Sequence, residues 1–468
     1  MATKQQQKSN VIAIIAMFFL FAMISFVTNL AAPIGTIWGY KFEGNSMLGM
    51  MGNMMNFLAY LFMGIPAGNL LVKIGYKKTA LWAMAIGVIG LFVQWLSSAV
   101  GADTNLFEMT SMVKENGVEV AKTFVVPLNF IIYLLGAFIC GFCVCMLNTV
   151  VNPMLNLLGG GGNRGNQLIQ TGGSLNSLSG TLTPLFVGAL IGALSPASTM
   201  ANVAPLLWIA MGVFVFAFIV ITFVSIPEPN LAKGKTKVKY SHSPWNFRHT
   251  VFGVIGIFFY VGIEIGIPGT LNFYLADQSA NGAGILGEAS AVAGGVVAIY
   301  WLLMLVGRLV SSVISGKVSS RVQLIVVSMT AIVLIAIAIL LPASIRISMP
   351  AYSAADGFSM AEVPAKAMFL VLCGLCTSVM WGGIFNLAVE GLGKYTAQAS
   401  GIFMMMVVGG GIMPLIQNAI ANAAGYMVSY WLVIAMLAYL FFYGTVGCKN
   451  VNTDIPVNED EVPDPRDL

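Results

Sequence analysis

The chain has 468 residues, of which 58% are hydrophobic and only 9% are charged, and its formal net charge is +4. Soluble domains carry about 25% charged residues, so a water-soluble protein of this length could not bury so many apolar side chains. The composition excludes a soluble enzyme, and the small positive charge lies in loops rather than in a nucleic-acid-binding patch. It predicts a protein built from membrane-spanning helices.

Membrane-spanning helices need about 20 mostly apolar residues each. Twelve stretches meet this requirement, and we number them span 1 to span 12 in chain order: 10–33, 46–72, 79–100, 127–157, 168–195, 203–226, 249–275, 288–315, 322–342, 364–389, 398–422 and 426–447. The first stretch is too long for a signal peptide, and no small-residue cleavage site follows it. We therefore expect it to remain as span 1.

Lysine and arginine are distributed unequally between the two sides of these spans. The N-terminus, alternate loops and the C-terminal tail hold 16 of the 22 basic residues, the opposite loops hold five, and Arg308 lies inside span 8. Cytoplasmic loops are enriched in basic residues. Both termini are therefore predicted to be cytoplasmic, in a plasma (inner) membrane, and the even number of spans agrees.

The chain divides at residues 227–248, which contain Pro227, Pro229 and a lysine-rich run at 233–239. We predict an N-terminal half over 1–226, a cytoplasmic linker over 227–248, a C-terminal half over 249–447 and a cytoplasmic tail over 448–468. Four segments recur in the same order in both halves: 11–19 and 251–259, 73–77 and 317–321, 141–143 and 374–376, and 184–186 and 414–416. This pattern favours the major facilitator fold, an all-α membrane protein of twelve transmembrane helices in two pseudo-symmetric halves around a central cavity.

Acidic residues are almost absent from the spans, and only Glu264 lies well inside one. An ionisable group inside a bilayer is costly and usually faces a cavity or a partner. Gly266, Pro268 and Gly269 follow it, which suggests a bend or an unwound turn. We expect Glu264 to accept a substrate hydroxyl or a coupling proton; the alternative is a buried carboxyl that only packs against a neighbouring helix.

Side-chain amides are the commoner polar groups in the spans. They offer both hydrogen-bond donors and acceptors, which suits a neutral polyhydroxylated ligand, and nearby indole rings could stack on a sugar. The substrate-binding candidates are Asn29, Asn56, Asn148, Asn152, Asn176, Glu264, Asn272, Trp301, Trp381 and Asn386. For each residue alone, interhelical hydrogen bonding or anchoring at the membrane interface is an equally good reading.

Arg308 and Glu390 lie near the predicted cytoplasmic ends of spans 8 and 10. We expect them to act in gating, with Arg308 pairing with a loop carboxylate or a helix C-terminus. Five of the six cysteines lie in spans without a nearby histidine, which is typical of small packing residues. No nucleotide, metal or haem motif is present, so we expect no cofactor.

Several segments resemble the fucose:proton symporter family, which includes glucose/galactose transporters. Residues 384–401 read IFNLAVEGLGKYTAQASG and residues 407–415 read VVGGGIMPL, and both are similar to the span 10–11 region of that family. Further similar segments are GIPAG at 64–68, the Asn152-Pro153 pair, YVGIE at 260–264, Tyr300-Trp301 and Gly307-Arg308. The resemblance extends over both halves and implies sugar transport.

Two departures from the family bear on coupling. The fucose symporter carries an aspartate in span 1 and a glutamate in span 4, whereas the matching positions here are Asn29 and Asn148. Neither amide can titrate, so that proton route is absent from this chain. Spacing also differs around 164–176, which weakens the correspondence of Asn176.

Three functions remain open at this point. A secondary sugar transporter fits best, with Glu264 as the proton-coupling candidate and sodium coupling or no coupling as alternatives. A carrier of another small polar solute, such as a nucleoside, would have fewer amides in its cavity. A membrane enzyme or sensor would need a catalytic constellation or a soluble domain. We expect a sugar, a coupling proton or sodium ion and the lipid bilayer as partners, no nucleic acid, and a monomer; which sugar is carried cannot be read from residue types.

Overall fold

A computed structural model describes residues 2–30, 34–35, 37–38, 41–42, 48, 51–115, 118–191, 197–228, 242–277, 282–285, 289–353 and 357–457. Within this part of the chain, ten helical segments are long and apolar enough to cross a bilayer. One of them, Met51–Ala99, is long enough for two spans, and the more polar helix Gly162–Ile191 supplies span 5. The twelve predicted spans are thereby accounted for, and the chain is an integral membrane protein.

The helices follow the predicted order closely. In the N-terminal half they are Ala2–Asn29 for span 1, Met51–Ala99 for spans 2 and 3, Leu128–Leu158 for span 4, Gly162–Ile191 for span 5 and Met200–Phe223 for span 6. In the C-terminal half they are Arg248–Ala276, Ala289–Ile314 and Ser320–Leu340 for spans 7 to 9, Lys366–Thr377 and Met380–Ala388 for span 10, Thr396–Met405 and Gly409–Ala424 for span 11, and Tyr426–Phe442 for span 12.

Spans 2 and 3 form one kinked helix rather than two helices joined by a loop. The kink lies at Gly75, whose φ of 86° and ψ of 174° are not helical, and glycine adopts such a positive φ without a Cβ penalty. The Glu228 carboxylate accepts hydrogen bonds from the N–H groups of Tyr76 (2.7 Å) and Lys77 (2.8 Å). The carboxylate therefore caps the start of span 3. Burial raises the pKa of Glu228, and the two N–H donors oppose that rise.

Two β-hairpins lie outside the spans, and the sequence analysis did not predict them. Strands β1 (Asn105–Glu115) and β2 (Val118–Pro127) pair antiparallel between spans 3 and 4. Strands β3 (Arg346–Ser353) and β4 (Gly357–Pro364) pair antiparallel between spans 9 and 10. Each hairpin follows the third span of its half, so the repeat between halves extends to these connections.

The predicted linker and tail are described only in part. Residues 229–241 and 458–468 lie outside the described residues, so the domain boundaries stay predictions. The beginning of the tail contacts the C-terminal half, where Asn452 accepts a hydrogen bond from the N–H of Arg248 (3.0 Å) and the Val457 carbonyl accepts one from the N–H of Lys394 (3.2 Å).

Candidate functional site

A buried ion pair joins spans 7 and 8. Nη2 of Arg308 lies 3.1 Å from Oε1 of Glu264, and the two side chains are only 12% and 14% exposed. The same guanidinium crosses to the N-terminal half, where Nη1 donates to Ser177 Oγ (2.6 Å) and to the Gly173 carbonyl (3.2 Å) in span 5. Its Nε donates to the Ser378 carbonyl (3.4 Å). One side chain thus ties together spans 5, 7, 8 and 10.

The expected loop carboxylate beside Arg308 was wrong, because the carboxylate found there is that of Glu264 inside span 7. The alternative, a helix C-terminus, is present as well: the Ser378 carbonyl that accepts from Nε belongs to the C-cap of the helix Lys366–Thr377. A buried guanidinium needs a compensating charge and several hydrogen bonds, and Glu264 supplies the charge from the adjacent span. The side chain of Glu390 is exposed, and its backbone carbonyl contacts Nε2 of His249 (2.9 Å); its gating role stays a prediction.

The backbone at Glu264 is also held from span 8. Pro268 has no N–H, so it cannot donate to the carbonyl four residues earlier, which belongs to Glu264. The Tyr300 hydroxyl donates to that carbonyl (3.3 Å) and also lies 2.9 Å from Oγ1 of Thr377. Span 7 is helical throughout Arg248–Ala276, so an unwound turn after Glu264 is not found. The hydroxyl replaces the missing donor.

Three asparagines form a ladder along one face of span 4. We call Asn148, Asn152 and Asn156 the amide ladder; their four-residue spacing places them one turn apart, and all three are buried. Asn148 donates to the Tyr60 hydroxyl (3.0 Å) within the N-terminal half. The other two contact span 10 of the opposite half.

The amide ladder meets two residues of span 10. Nε1 of Trp381 donates to Oδ1 of Asn152 (3.1 Å), and Nδ2 of Asn156 donates to Oδ1 of Asn386 (2.7 Å). Asn386 in turn donates to Ser320 Oγ (2.9 Å). The predicted site residues Asn152, Trp381 and Asn386 are therefore brought together. The bonds from Trp381 to Asn152 and from Asn156 to Asn386 are neutral contacts between the halves.

An aromatic group surrounds Trp381. The Tyr260 and Phe403 rings lie 6.2 Å and 6.1 Å from its ring centre. The Tyr260 hydroxyl is buried and lies beside both Glu264 and Arg308. It can therefore bond either to the ion pair or to a ligand that lies between the ion pair and the indole.

The remaining candidates lie apart from these contacts. Asn29 donates to the Ser25 carbonyl of its own helix (2.8 Å), and Asn176 donates to the Phe21 carbonyl of span 1 (3.1 Å). Asn56 lines a small cavity among spans 1 to 4, and Oδ1 of Asn56 has no partner there. Asn272 is partly buried, and Trp301 is 39% exposed. Their roles in binding stay predictions.

The contacts between the halves lie toward the ends of the spans nearest the termini. Besides the bonds already described, Gln170 donates to the Val379 carbonyl (2.9 Å) and Asn166 donates to Ser315 Oγ (3.0 Å). Gln170 reaches a carbonyl at the short turn that interrupts span 10 at residues 378–379. Such irregular backbone is tolerated inside a membrane when side chains satisfy it. In this structure the terminal side of the interface is closed.

Sequence reasoning missed several residues of this site. Asn156 continues the spacing of Asn148 and Asn152 and could have been found from that period. Tyr260 lies in the segment 260–264, which resembles the fucose:proton symporter family, but no role was predicted for it. Gln170 is one of many amides in the spans and has no spacing that sets it apart. Ser177 carries no sequence signal that separates it from other span serines.

Comparison with known proteins places the whole chain in one family. The family model of the Major Facilitator Superfamily matches residues 12–414. A glucose/galactose transporter of Brucella abortus is 29% identical over 454 residues, covering 95% of this chain and 96% of that protein. The L-fucose-proton symporter of Escherichia coli is 21% identical over 459 residues, covering 91% and 90%.

The fold is similar to solved transporters. The crystal structure of the E. coli fucose:proton symporter matches with a TM-score of 0.72 at 18% identity, covering 93% of this chain and 98% of that chain. The proton:xylose symporter structure matches with a TM-score of 0.62 at 12% identity, covering 94% and 96%. The predicted fold of twelve spans in two halves is thus confirmed. The chain belongs to the Major Facilitator Superfamily, and it is a membrane transporter rather than an enzyme.

Proposed function

We propose that this protein is a secondary transporter of a monosaccharide, that it works by alternating access, and that it couples uptake to protons through Glu264. It acts as a monomer in the plasma (inner) membrane, with both termini in the cytoplasm. The observation that carries the proposal is the buried Glu264–Arg308 pair, which lies between the halves beside the buried Tyr260 hydroxyl and the Trp381 ring.

The groups at this interface suit an uncharged ligand. Glu264 and Arg308 balance each other's charge, and within the described residues the other groups named here that hydrogen-bond across the halves are amides, hydroxyls, carbonyls and the Trp381 indole. A charged solute would need an opposite charge to offset its desolvation. A sugar needs only hydrogen-bond donors and acceptors and an aromatic surface for its ring. The Tyr260 hydroxyl supplies the former and Trp381 the latter.

The relatives narrow the class of sugar. Those of Brucella abortus and Helicobacter pylori carry the name of glucose/galactose transporters, the second as a putative one, and that of E. coli is named for L-fucose. We therefore propose a hexose or deoxyhexose as the substrate. Specificity among them depends on donor and acceptor placement at a finer scale than the residue types give.

Coupling follows from the charge balance of the ion pair. When Glu264 takes up a proton, the Arg308 guanidinium is left as an uncompensated buried charge, which costs several kcal/mol. A rearrangement that hydrates Arg308 relieves this cost. Because Arg308 also holds Ser177 and Gly173 of the other half, such a rearrangement loosens the contact between the halves. Protonation and opening are thereby linked.

The same pair gives the alternatives their physical basis. An ion pair stabilises the ionised form of a carboxylate, so Glu264 can also remain charged throughout the cycle. The carrier would then be uncoupled or sodium-coupled, and the ion pair would be structural. The charge balance that disfavours a charged solute applies to these alternatives too.

Uptake into proteoliposomes tests the proposal. Labelled D-glucose, D-galactose and L-fucose are offered to the wild type with an imposed inward proton gradient, with a sodium gradient and with neither. We expect accumulation of one of these sugars with the proton gradient only. Accumulation driven by sodium, or uptake that never exceeds equilibrium, would contradict proton coupling; the absence of any sugar uptake would contradict the substrate.

Two variants separate coupling from folding. In Glu264→Gln, Arg308 loses its counter-charge, so a loss of transport alone would be ambiguous. The double variant Glu264→Gln/Arg308→Gln removes both charges together and is the matched control. We expect both to exchange sugar across the membrane but not to accumulate it. Accumulation by the double variant under a proton gradient would exclude Glu264 as the coupling group.

A further inference from the structure

Pro153 in span 4, like Pro268 in span 7, leaves a backbone carbonyl without its helical donor. A residue of the opposite half donates a hydrogen bond to this carbonyl. Pro153 lies inside the helix Leu128–Leu158 and has no N–H to donate to the carbonyl of Thr149, four residues earlier. The Thr149 side chain cannot help its own carbonyl, because its Oγ1 donates to the Cys145 carbonyl (2.8 Å). The freed carbonyl is fully buried, so it needs a donor from elsewhere.

That donor comes from span 11. Oγ of Ser400 donates to the Thr149 carbonyl at 3.1 Å, and both residues are 0% exposed. Thr149 belongs to the N-terminal half and Ser400 to the C-terminal half. The bond therefore crosses the interface, in the same terminal-side region as the bond between Asn156 and Asn386.

The two halves approach closely at this place. The next residue, Gly401, faces span 2, where an added Cβ would lie only 2.5 Å from the Gly64 carbonyl oxygen and 2.7 Å from the Gly68 Cα. Backbone therefore packs against backbone beside Ser400, and the short serine side chain can reach the carbonyl only in this closed arrangement.

We infer that Ser400 is a positioning residue that holds the terminal side of the transporter closed by capping the carbonyl that Pro153 frees. The inference rests on the proposed alternating-access function. When the halves separate on this side, water replaces the hydroxyl at the Thr149 carbonyl. The proline thus creates an acceptor whose partner is the opposite half in the closed state and water in the open state.

The test measures the populations of the two states in the full chain. Lys73, just before the kink at Gly75, and Lys317, in the turn after span 8, are exposed at equivalent places in the two halves. Fluorophores introduced there through unnatural amino acids leave the native cysteines in place, and single-molecule energy transfer in nanodiscs reports the separation of the halves. Ser400→Ala should leave the carbonyl unsatisfied in the closed state only. An unsatisfied buried acceptor corresponds to a shift of about five- to 150-fold toward the open state.

Two comparisons make the test specific. Ser429→Ala removes an equally buried hydroxyl that bonds within its own helix, to the Tyr426 carbonyl (2.7 Å), and should leave the populations unchanged. Pro153→Ala restores an N–H that satisfies the Thr149 carbonyl inside span 4 in both states. In that background Ser400→Ala should therefore have no further effect.

The outcomes are distinct. A Ser400→Ala protein with the populations of Ser429→Ala overturns the inference, and so does a shift that persists undiminished in the Pro153→Ala background. If Pro153→Ala does not fold, the comparison of the two serine variants still decides. The energy-transfer measurement needs no substrate, so it is independent of the uptake experiment. A wild type that takes up no sugar would overturn the proposed function but would not change the result for Ser400.

Discussion

The two halves contact each other in two chemically different ways. At spans 5, 7 and 8 the contact runs through a charged group, since Arg308 holds Glu264 and reaches Ser177 across the interface. At spans 4 and 10 it runs through neutral groups, since the amide ladder meets Trp381 and Asn386. Both contacts are buried, but only the first contains a group that can gain or lose a proton.

The difference indicates how a carrier can divide two tasks. Neutral hydrogen bonds can exchange protein partners for water at a small net free energy, about 0.5–1.5 kcal/mol each. They are therefore suited to contacts that form and break in every cycle. A buried ion pair is costly to break unless its charge is removed, so it suits the step that must wait for a proton. The following predictions test this division, beginning with the largest effect.

The largest effect is expected from breaking the ion pair on one side. Arg308→Ala leaves the Glu264 carboxylate buried without a counter-charge and also removes the bonds to span 5, which should cost about 3–5 kcal/mol of stability. Thermal unfolding of the purified protein in detergent measures it. Adding Glu264→Gln should recover a large part of the loss. Equal instability of the single and double variants would mean that the charge is not what Arg308 compensates.

A smaller effect is expected at the aromatic contact. Trp381→Phe removes the Nε1 donor to Asn152 and part of the stacking surface but keeps an aromatic ring. We expect sugar affinity to fall about tenfold, because part of the surface on which the sugar ring packs is lost, while accumulation driven by the proton gradient continues. Exchange measured over a range of sugar concentrations gives the affinity. A loss of gradient-driven accumulation with unchanged affinity would place Trp381 in coupling instead.

A smaller effect is expected at Asn156, the last residue of the amide ladder. Asn156→Ala removes one neutral hydrogen bond to Asn386 and should favour separation of the halves about three- to tenfold. The shift should be the same at pH 6 and pH 8, since no titratable group takes part in the contact. Energy transfer between fluorophores at positions 73 and 317 gives the populations of the open and closed states at both pH values. A shift that depends on pH in this variant would break the proposed division between neutral and charged contacts.

The smallest effect is expected from Tyr60→Phe. This variant removes a hydroxyl that Asn148 contacts within one half, and Asn148 retains its bond to the Val144 carbonyl (3.2 Å). The populations of the open and closed states should change less than about twofold. The same energy-transfer measurement applies, and a shift as large as that of Asn156→Ala would show that contacts inside a half also set the state.

The hairpins show where sequence reading stopped short. Residues 101–126 and 343–363 fall between predicted spans, yet each segment contains a turn signal, Asn116-Gly117 and Asp356-Gly357, between runs with strand-like composition. The length that defines a membrane span, about 20 apolar residues, does not reveal such shorter patterns. The unwound turn that was one expectation after Glu264 failed for a different reason: Gly266, Pro268 and Gly269 suggested it, but the Tyr300 hydroxyl replaces the donor that Pro268 lacks, and no local pattern predicts that.

The amino-acid pattern alone was enough to predict the class of protein, the twelve spans, the division into halves and the isolation of Glu264 among apolar residues. These follow from composition and from the length that a bilayer demands of a helix, and both are local properties of the chain. The pairing of Arg308 with Glu264, the contact of the amide ladder with span 10 and the bond from Ser400 to a carbonyl of the other half are visible only in the folded arrangement of the helices. Such contacts join residues tens to hundreds of positions apart, so they depend on how the helices pack, which side-chain type alone does not specify.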